Sequence, residues 1–364
     1  MPSTSELFGK TYDDARAKFR AGAQAAGVET KSYVLEGYSG AQGEALSIDT
    51  ALLGSADASD LLVMTSATHG PEGFCGSGSQ VSFFHDQDLI ERLVNNGVAL
   101  LLVHAVNPHG FSHMRRVNED NIDLNRNGVD FSDKLPVNAG YSDLHDLLLP
   151  AEWPPSQENR DALAAFIRDR GERAYQFAVT MGQYDHADGM FYGGERRSWS
   201  LRTLHQILEN HGRGKRAVVW LDMHTGLGPR GHAEKIHTGA VSELLLARRI
   251  WGADVFSLSE TNSKSAPVSG SICLLLGQAC PDAQRATLAL EYGTRPVLQV
   301  LDAVRGDHWL YRRNGAAPME QIQSIKAAMR EAFYDDSDDW RGMVVGQART
   351  AVLQAICGLG AERV

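Results

Sequence analysis

Four short, unbroken apolar runs constrain this chain more than anything else in it. They are 61–65 (LLVMT), 98–106 (VALLLVHAV), 217–222 (AVVWLD) and 287–291 (TLALE). A strand that meets solvent on one side alternates apolar and polar residues, whereas a strand covered on both sides reads as a continuous apolar run. Helical patterns lie between the runs, at 6–27, 88–95, 159–176, 200–211 and 241–251. This alternation predicts an α/β fold: a three-layer sandwich with a central mixed, mostly parallel sheet and helices on both faces. Length permits two domains but also one large α/β domain, and a single domain over residues 1–364 is expected.

In such sheets ligands bind beyond the carboxyl ends of the strands. The residues there are therefore the candidates for chemistry. They are His69 after the first run, the stretch from Asn107 to Arg126 after the second, His224 after the third, and Glu291 at the end of the fourth.

His69 and Glu72 lie in THGPEG, where Gly70, Pro71 and Gly73 allow a turn tight enough to bring both side chains to one point. His224 follows an apolar run in LDMHTG. Two imidazoles and a carboxylate with one position left open form a known catalytic zinc arrangement. We therefore expect one Zn2+, held by His69, Glu72 and His224. Asp222, two residues before His224, lies on the same side of the strand. It either orients the site or caps a neighbouring helix.

Composition narrows the classes. The chain is 43% hydrophobic and 22% charged, which suits a soluble globular protein. A net charge of -10 argues against nucleic acid as partner. Cys75, Cys273, Cys280 and Cys357 form neither a C-x-x-C pair nor a disulfide framework. No secretory signal and no apolar run of membrane-spanning length is visible, so no membrane partner and a cytoplasmic location are expected. No G-x-S-x-G elbow is present, and the glycines of 76–79 are not followed by a P-loop lysine. Residues 131–156, with four prolines, read as a long surface excursion, and 335–339 as a solvated acidic turn. His104, His109 and His113 read as structural or solvated.

The most specific stretch is NPHGF at 107–111, then Arg115 and Arg116, then DLNRN at 123–127. In this order, after H-x-x-E and before a strand-end histidine and LEYGT (290–294), it resembles the M14 zinc carboxypeptidases. The HGPEG form is similar to the deacylase side of that superfamily, typified by aspartoacylase and succinylglutamate desuccinylase. The DLNRN and EYGT forms resemble its DUF2817 branch. The likeness spans roughly 69–294.

The resemblance implies a zinc carboxypeptidase-like fold with His69, Glu72 and His224 as zinc ligands and Glu291 as general base. It implies Asn125 and Arg126 as clamps for a substrate carboxylate, Arg115 or Arg116 (with Arg116 favoured) for the oxyanion, and Asp123 as the carboxylate supporting His69. The peptidases carry a tyrosine on the loop before an S-G-x-S-I stretch. Here VSGSI at 268–272 matches that stretch, but 261–267 contains no tyrosine. Tyr184 and Tyr192, in the segment 182–194 (GQYDHADGMFYGG), are the alternative candidates to line the pocket. Ile272 offers no charge for reading a basic side chain, which favours a small or apolar substrate group.

Three functions follow as expectations. The first is a metallopeptidase of carboxypeptidase type acting on a small peptide. The second is a deacylase acting on an N-acyl amino acid. The third is a non-catalytic binding protein on the same scaffold. The sequence leaves the oligomeric state open, a homo-oligomer included.

Overall fold

The structure is a computed structural model, and it describes residues 2–257 and 268–360. Eight strands form one sheet: β1 (Thr30–Ser39), β2 (Ala45–Leu53), β3 (Asp60–Thr65), β4 (Val98–His104), β5 (Ala217–Arg230), β6 (Ala233–His237), β7 (Phe256–Ser257) and β8 (Gln284–Gly293). Their order is β1-β2-β4-β3-β5-β8-β6-β7. The four central strands β4, β3, β5 and β8 run parallel to one another. β1 and β2 pair antiparallel, β2 with β4 likewise, and β6 is antiparallel to β8. The expected mixed, mostly parallel sheet is the one observed.

The four predicted apolar runs are these four central strands. Alternate residues serve opposite faces, as the period of two requires. Leu62, Met64, Leu100, Leu102, Val219 and Leu221 join one core with Phe19, Trp251 and Trp340 from helices. Leu61, Val63, Leu101, Val103, Val218 and Trp220 join a second core with Leu204, Leu208 and Leu276. Both faces are covered, so neither face carries a polar stripe.

A third core stands apart from the sheet and closes over its carboxyl edge. It gathers Tyr141, Leu144 and Leu148, then Val179 and Phe191, then Val300 and Leu301 from the helix Val297–Arg312, with Met329 and Phe333 from the helix Met319–Phe333. This corrects the surface-excursion reading of 131–156. Short helices at Ala139–Ser142 and His145–Leu148 bury Tyr141, Leu144 and Leu148 completely.

Other boundaries also differ. The predicted helix over 6–27 is two helices, Thr4–Leu7 and Tyr12–Ala25, because Thr11 caps the second by accepting from the Asp14 amide. The one over 159–176 breaks at Gly171, whose φ of 90° no L-residue adopts readily. The stretch at 241–251 begins as a 3-10 turn, Val241–Glu243, before the helix Leu244–Trp251. The acidic residues of 335–339 do lie around a turn between C-terminal helices, but they have a partner: Asp335 and Asp339 both pair with Arg230 at the end of β5. Among the described residues, no helix is long and apolar enough to cross a membrane.

Candidate metal centre and the cavity around it

The carboxyl ends of β3 and β4 stay linked beyond the strands. The Val106 amide donates to the Ser66 carbonyl and the Asn107 amide to the Ala67 carbonyl. Ala67 and Ala105 take positive φ values of 57° and 61° to make this exit. His69 follows, then the 3-10 turn Gly70–Glu72 with Pro71 near its start. A Cβ at Gly70 would stand 2.0 Å from the Gly110 carbonyl carbon and 2.3 Å from the Arg115 oxygen. Only glycine lets the histidine turn pack against the 107–116 segment this closely.

His69, Glu72 and His224 converge: one ligand atom from each lies within 4.8 Å of the other two. All three are nearly inaccessible to solvent. His69 Nδ1 is 2.8 Å from Glu72 Oε1, and His224 Nδ1 is 3.0 Å from Glu72 Oε2. The outer nitrogens face carboxylates. His69 Nε2 is 3.1 Å from Asp123 Oδ1, and His224 Nε2 is 2.7 Å from Asp222 Oδ2.

This donor set fits zinc. Nδ1 of both rings faces the Glu72 carboxylate, so a zinc ion there would take both Nδ1 atoms and the carboxylate, while each Nε2 faces its own carboxylate and His69 Nε2 also lies 2.8 Å from Arg116 Nη2. Asp222 is itself held by the hydroxyls of Thr65 and Thr68, at 2.6 and 2.9 Å, so it orients His224 and caps no helix. Burial alone would favour the protonated forms of Glu72 and Asp123, yet both stay ionised. The His69 and His224 rings hold Glu72 well below the ordinary carboxylate range, and Arg116 with His69 does the same for Asp123.

Glu291 sits beside His224 because β5 and β8 pair in parallel with these two residues in register. Its Oε1 accepts from the Leu227 amide at 3.2 Å. Burial, then the Glu72 charge, pushes its carboxyl up to about 8. A carboxyl poised near neutrality can both take and give a proton.

Of the two arginines, only Arg116 reaches the cavity. Its Nε donates to Asp123 Oδ2 at 3.0 Å and its Nη1 to Glu72 Oε1 at 3.2 Å, above the Phe191 ring. Arg115 points the other way. It donates to Asp307 at 2.9 Å and to Asn121 at 2.8 Å and stacks on Tyr311, so it is a buried structural cation that stands away from the cavity.

Asn125 and Arg126 both line the cavity. The Arg126 guanidinium donates to the carbonyls of Thr180 and Asn125. Burial pushes it down to about 10, so it remains a cation.

Tyr184 and Tyr192 lie outside the described cavity lining. Tyr184 donates its hydroxyl to the Arg126 carbonyl at 2.7 Å, and Tyr192 contributes its carbonyl to the Asp123 amide. Ile272 packs in the second core; Val268 is the residue of VSGSI that lines the cavity. The stretch without a tyrosine, 261–267, lies outside the described residues.

Nothing in the sequence pointed to Thr180, whose carbonyl holds Arg126, or to the wall built by Val297, Val300, Leu301 and Phe333. Phe191, under both guanidinium groups, falls in the glycine- and aromatic-rich segment 182–194. The cavity that all these groups share measures about 100 Å³.

The sequence matches the model of a family described as "Protein of unknown function (DUF2817)" over residues 8–347. No curated protein matches it. Three solved structures illustrate what the fold is similar to. Carboxypeptidase A from Helicoverpa armigera is 15% identical over 90% of this chain and 77% of its own, with a TM-score of 0.46. A metallo-carboxypeptidase from Pseudomonas aeruginosa is 14% identical over 95% and 68%, with a TM-score of 0.45. A succinylglutamate desuccinylase from a Silicibacter species is 13% identical over 84% and 65%, with a TM-score of 0.36.

Proposed function

The chain belongs to the DUF2817 family, and on that premise we propose that it is a zinc-dependent hydrolase cutting an amide bond beside a free carboxylate, as a carboxypeptidase does. One observation carries the reading. A buried His–Glu–His group, each imidazole backed by its own carboxylate, shares a cavity with Glu291, Arg116 and Arg126.

Bound zinc would supply Lewis acidity and make water acidic enough to ionise near neutral pH. The chain's residues supply the rest. Arg126, with Asn125 beside it, offers a planar fork to the substrate carboxylate and fixes which amide lies at the centre. Arg116 brings positive charge to where the carbonyl oxygen becomes negative, a contribution of roughly 3 to 4 kcal/mol for one such donor. Glu291 takes a proton from the attacking water at its carboxylate and delivers it to the leaving nitrogen. The helical cap over the strand ends excludes bulk water and strengthens each of these interactions.

A deacylase of small N-acyl amino acids is the second reading. The packed helical cap over the strand ends favours it, because a peptidase acting on long chains needs an open groove. A non-catalytic binding protein is the third.

The test is metal analysis of the purified chain, followed by assays on short peptides and on N-acyl amino acids. We expect one zinc per chain and release of a free amino acid. The Glu291→Gln variant should keep its zinc and lose turnover by several orders of magnitude. A chain that binds no divalent metal, or a variant as active as its parent, would end the proposal.

A further inference from the structure

Resting on the hydrolase reading above, we propose that Phe191 is a positioning residue: its ring sets the distance between the two cations of the cavity, Arg116 and Arg126, and so fixes how many bonds separate a substrate's carboxylate from the amide that is cut.

A carboxylate clamp selects one amide only if it stands at a set distance from the group that meets the carbonyl oxygen. Here both groups are guanidiniums, carried on long side chains, buried and of like charge. Like charges move apart unless something holds them. Their hydrogen bonds hold them separately. Arg116 is tied to Asp123, Glu72 and His69, and Arg126 to the carbonyls of Thr180 and Asn125, so among the described residues no hydrogen-bond partner is common to both. The Phe191 ring lies against both. Its centroid is 5.0 Å from the Arg116 guanidinium carbon and 5.5 Å from that of Arg126. Within about 6 Å the electron-rich face of a ring attracts a cation, and more strongly where water is excluded. One ring that attracts both works against their mutual repulsion and defines their spacing.

The backbone is bent to present this ring. Phe191 has a φ of 52°, in the left-handed region that a bulky side chain rarely enters. Such strain persists only where neighbours enforce it. Three hydrogen bonds do so. The Met190 amide donates to the Tyr141 hydroxyl at 2.6 Å, the Phe191 carbonyl accepts from the Gln183 amide at 3.2 Å, and the Tyr192 carbonyl accepts from the Asp123 amide at 2.8 Å. The last of these ties the segment that carries the ring to the residue that holds Arg116. Gly182, at the start of the same segment, closes on the stem of Arg126: a Cβ there would lie 2.6 Å from its Cδ. Phe191 is 3% exposed although it borders the cavity, so the ring has little freedom to turn.

The experiment compares two homologous compounds, N-acetyl-L-leucine and N-acetyl-L-β-homoleucine, which differ by one methylene inserted between carboxylate and amide. The zinc-loaded parent, Phe191→Leu, Phe191→Met and Phe191→Tyr chains are assayed for kcat/KM, and calorimetry on the same chains carrying Glu291→Gln gives affinity without turnover. The parent should prefer N-acetyl-leucine by about 100-fold in kcat/KM, the cost of misplacing the reacting carbon by about an ångström. Phe191→Leu and Phe191→Met keep apolar bulk but remove the ring, and each should narrow that preference by about ten-fold. Phe191→Tyr keeps the ring and should keep the preference. Should Phe191→Leu fail to fold, Phe191→Met carries the comparison, because its flexible chain fills irregular space.

A loss of turnover equal for both homologues, with the preference unchanged, is what a merely structural role gives; it overturns the inference and leaves the hydrolase reading standing. A Phe191→Tyr chain that behaves as Phe191→Leu does the same. Absence of turnover with both homologues and with the peptides and N-acyl amino acids above sinks the hydrolase reading. In that event the calorimetric preference decides: a preference that leucine and methionine narrow and tyrosine keeps upholds the spacing role, and any other pattern removes it.

Discussion

Arg126 is a buried cation held by neutral oxygens. Its guanidinium donates to the carbonyls of Thr180 and Asn125, and no carboxylate is among those hydrogen-bond partners. A cation in that setting gains most from an incoming carboxylate, and a hydrogen bond to a charged group contributes about 1.5–3 kcal/mol. We predict that Arg126→Ala raises KM for carboxylate substrates by roughly 10- to 100-fold, with a much smaller change in kcat. The same substrates with the carboxylate amidated should show no such penalty. An equal loss for both would mean that Arg126 acts by holding the Thr180 segment and does not touch substrate. Asp222 belongs to the same scale. Held by Thr65 and Thr68, it fixes the His224 ring. Asp222→Ala should weaken zinc binding by about 10- to 100-fold in a chelator competition. Unchanged affinity would show that the strand alone orients His224.

At the scale of elements, what could be read from the sequence was what is buried on both faces. β3, β4, β5 and β8 announce themselves as continuous apolar runs, and their carboxyl ends deliver His69, His224 and Glu291. β1 and β2 escaped the pattern because they are the outer strands. β1 exposes most of its length, and β2 carries Asp49, a charge whose partner Arg16 lies 33 residues away. β6 is five residues long and includes Glu234 and Lys235. The 131–156 part of the cap was misread because its helices are short and proline-flanked, and their apolar residues face a core built from three distant segments. Of the two adjacent arginines the sequence only favoured Arg116, since what separates them is Asp307, 192 positions from Arg115. That ion pair fastens the 107–123 segment to the helix Val297–Arg312, and Lys326 joins it from the next helix at 2.6 Å. Arg115 and Asp307 are both buried, so removing the carboxylate leaves a cation without its counter-charge. Asp307→Ala should cost about 3–5 kcal/mol in urea unfolding, whereas Asp302→Ala, on the same helix with a mostly exposed carboxylate, should cost little. Similar costs for the two would mean that the buried network contributes no more than a surface pair.

For the whole molecule, several buried groups set how stability depends on pH, and His104 and His308 are two of them; His109, pushed down by burial to about 3, acts in the same sense, and Glu291 and Glu119, pushed up by burial to about 8 and about 7, act in the opposite one. His104, at the end of β4, stacks on Phe19 and shares a hydrogen bond with Ser77; His308 directs Nδ1 at the Val304 carbonyl. Burial pushes each down to about 4; Asp49 and Arg16 face His104 with opposing effects, and Arg115 adds to the depression of His308 against Asp307 and Asp123. In the unfolded chain both titrate near 6.5. Between those values the unfolded state binds a proton that the folded state refuses, so lowering the pH favours unfolding. Each neutral ring therefore contributes fully above about pH 6.5, loses that contribution as pH falls toward about 4, and loses nothing further below it. From about pH 7 to about pH 5 the loss is about 2 kcal/mol for each ring. The depressed carboxylates of Asp49 and Asp307 act in a separate window, below about pH 4, where the unfolded chain takes up protons first. Denaturant unfolding at pH 7 and pH 5 tests the histidine window. Whatever His104→Leu does to absolute stability, the difference between the two pH values should shrink by about 2 kcal/mol relative to the parent chain. An unchanged difference would show that the folded chain holds His104 charged at pH 5, against the packing of Phe19 and Phe111 around its ring.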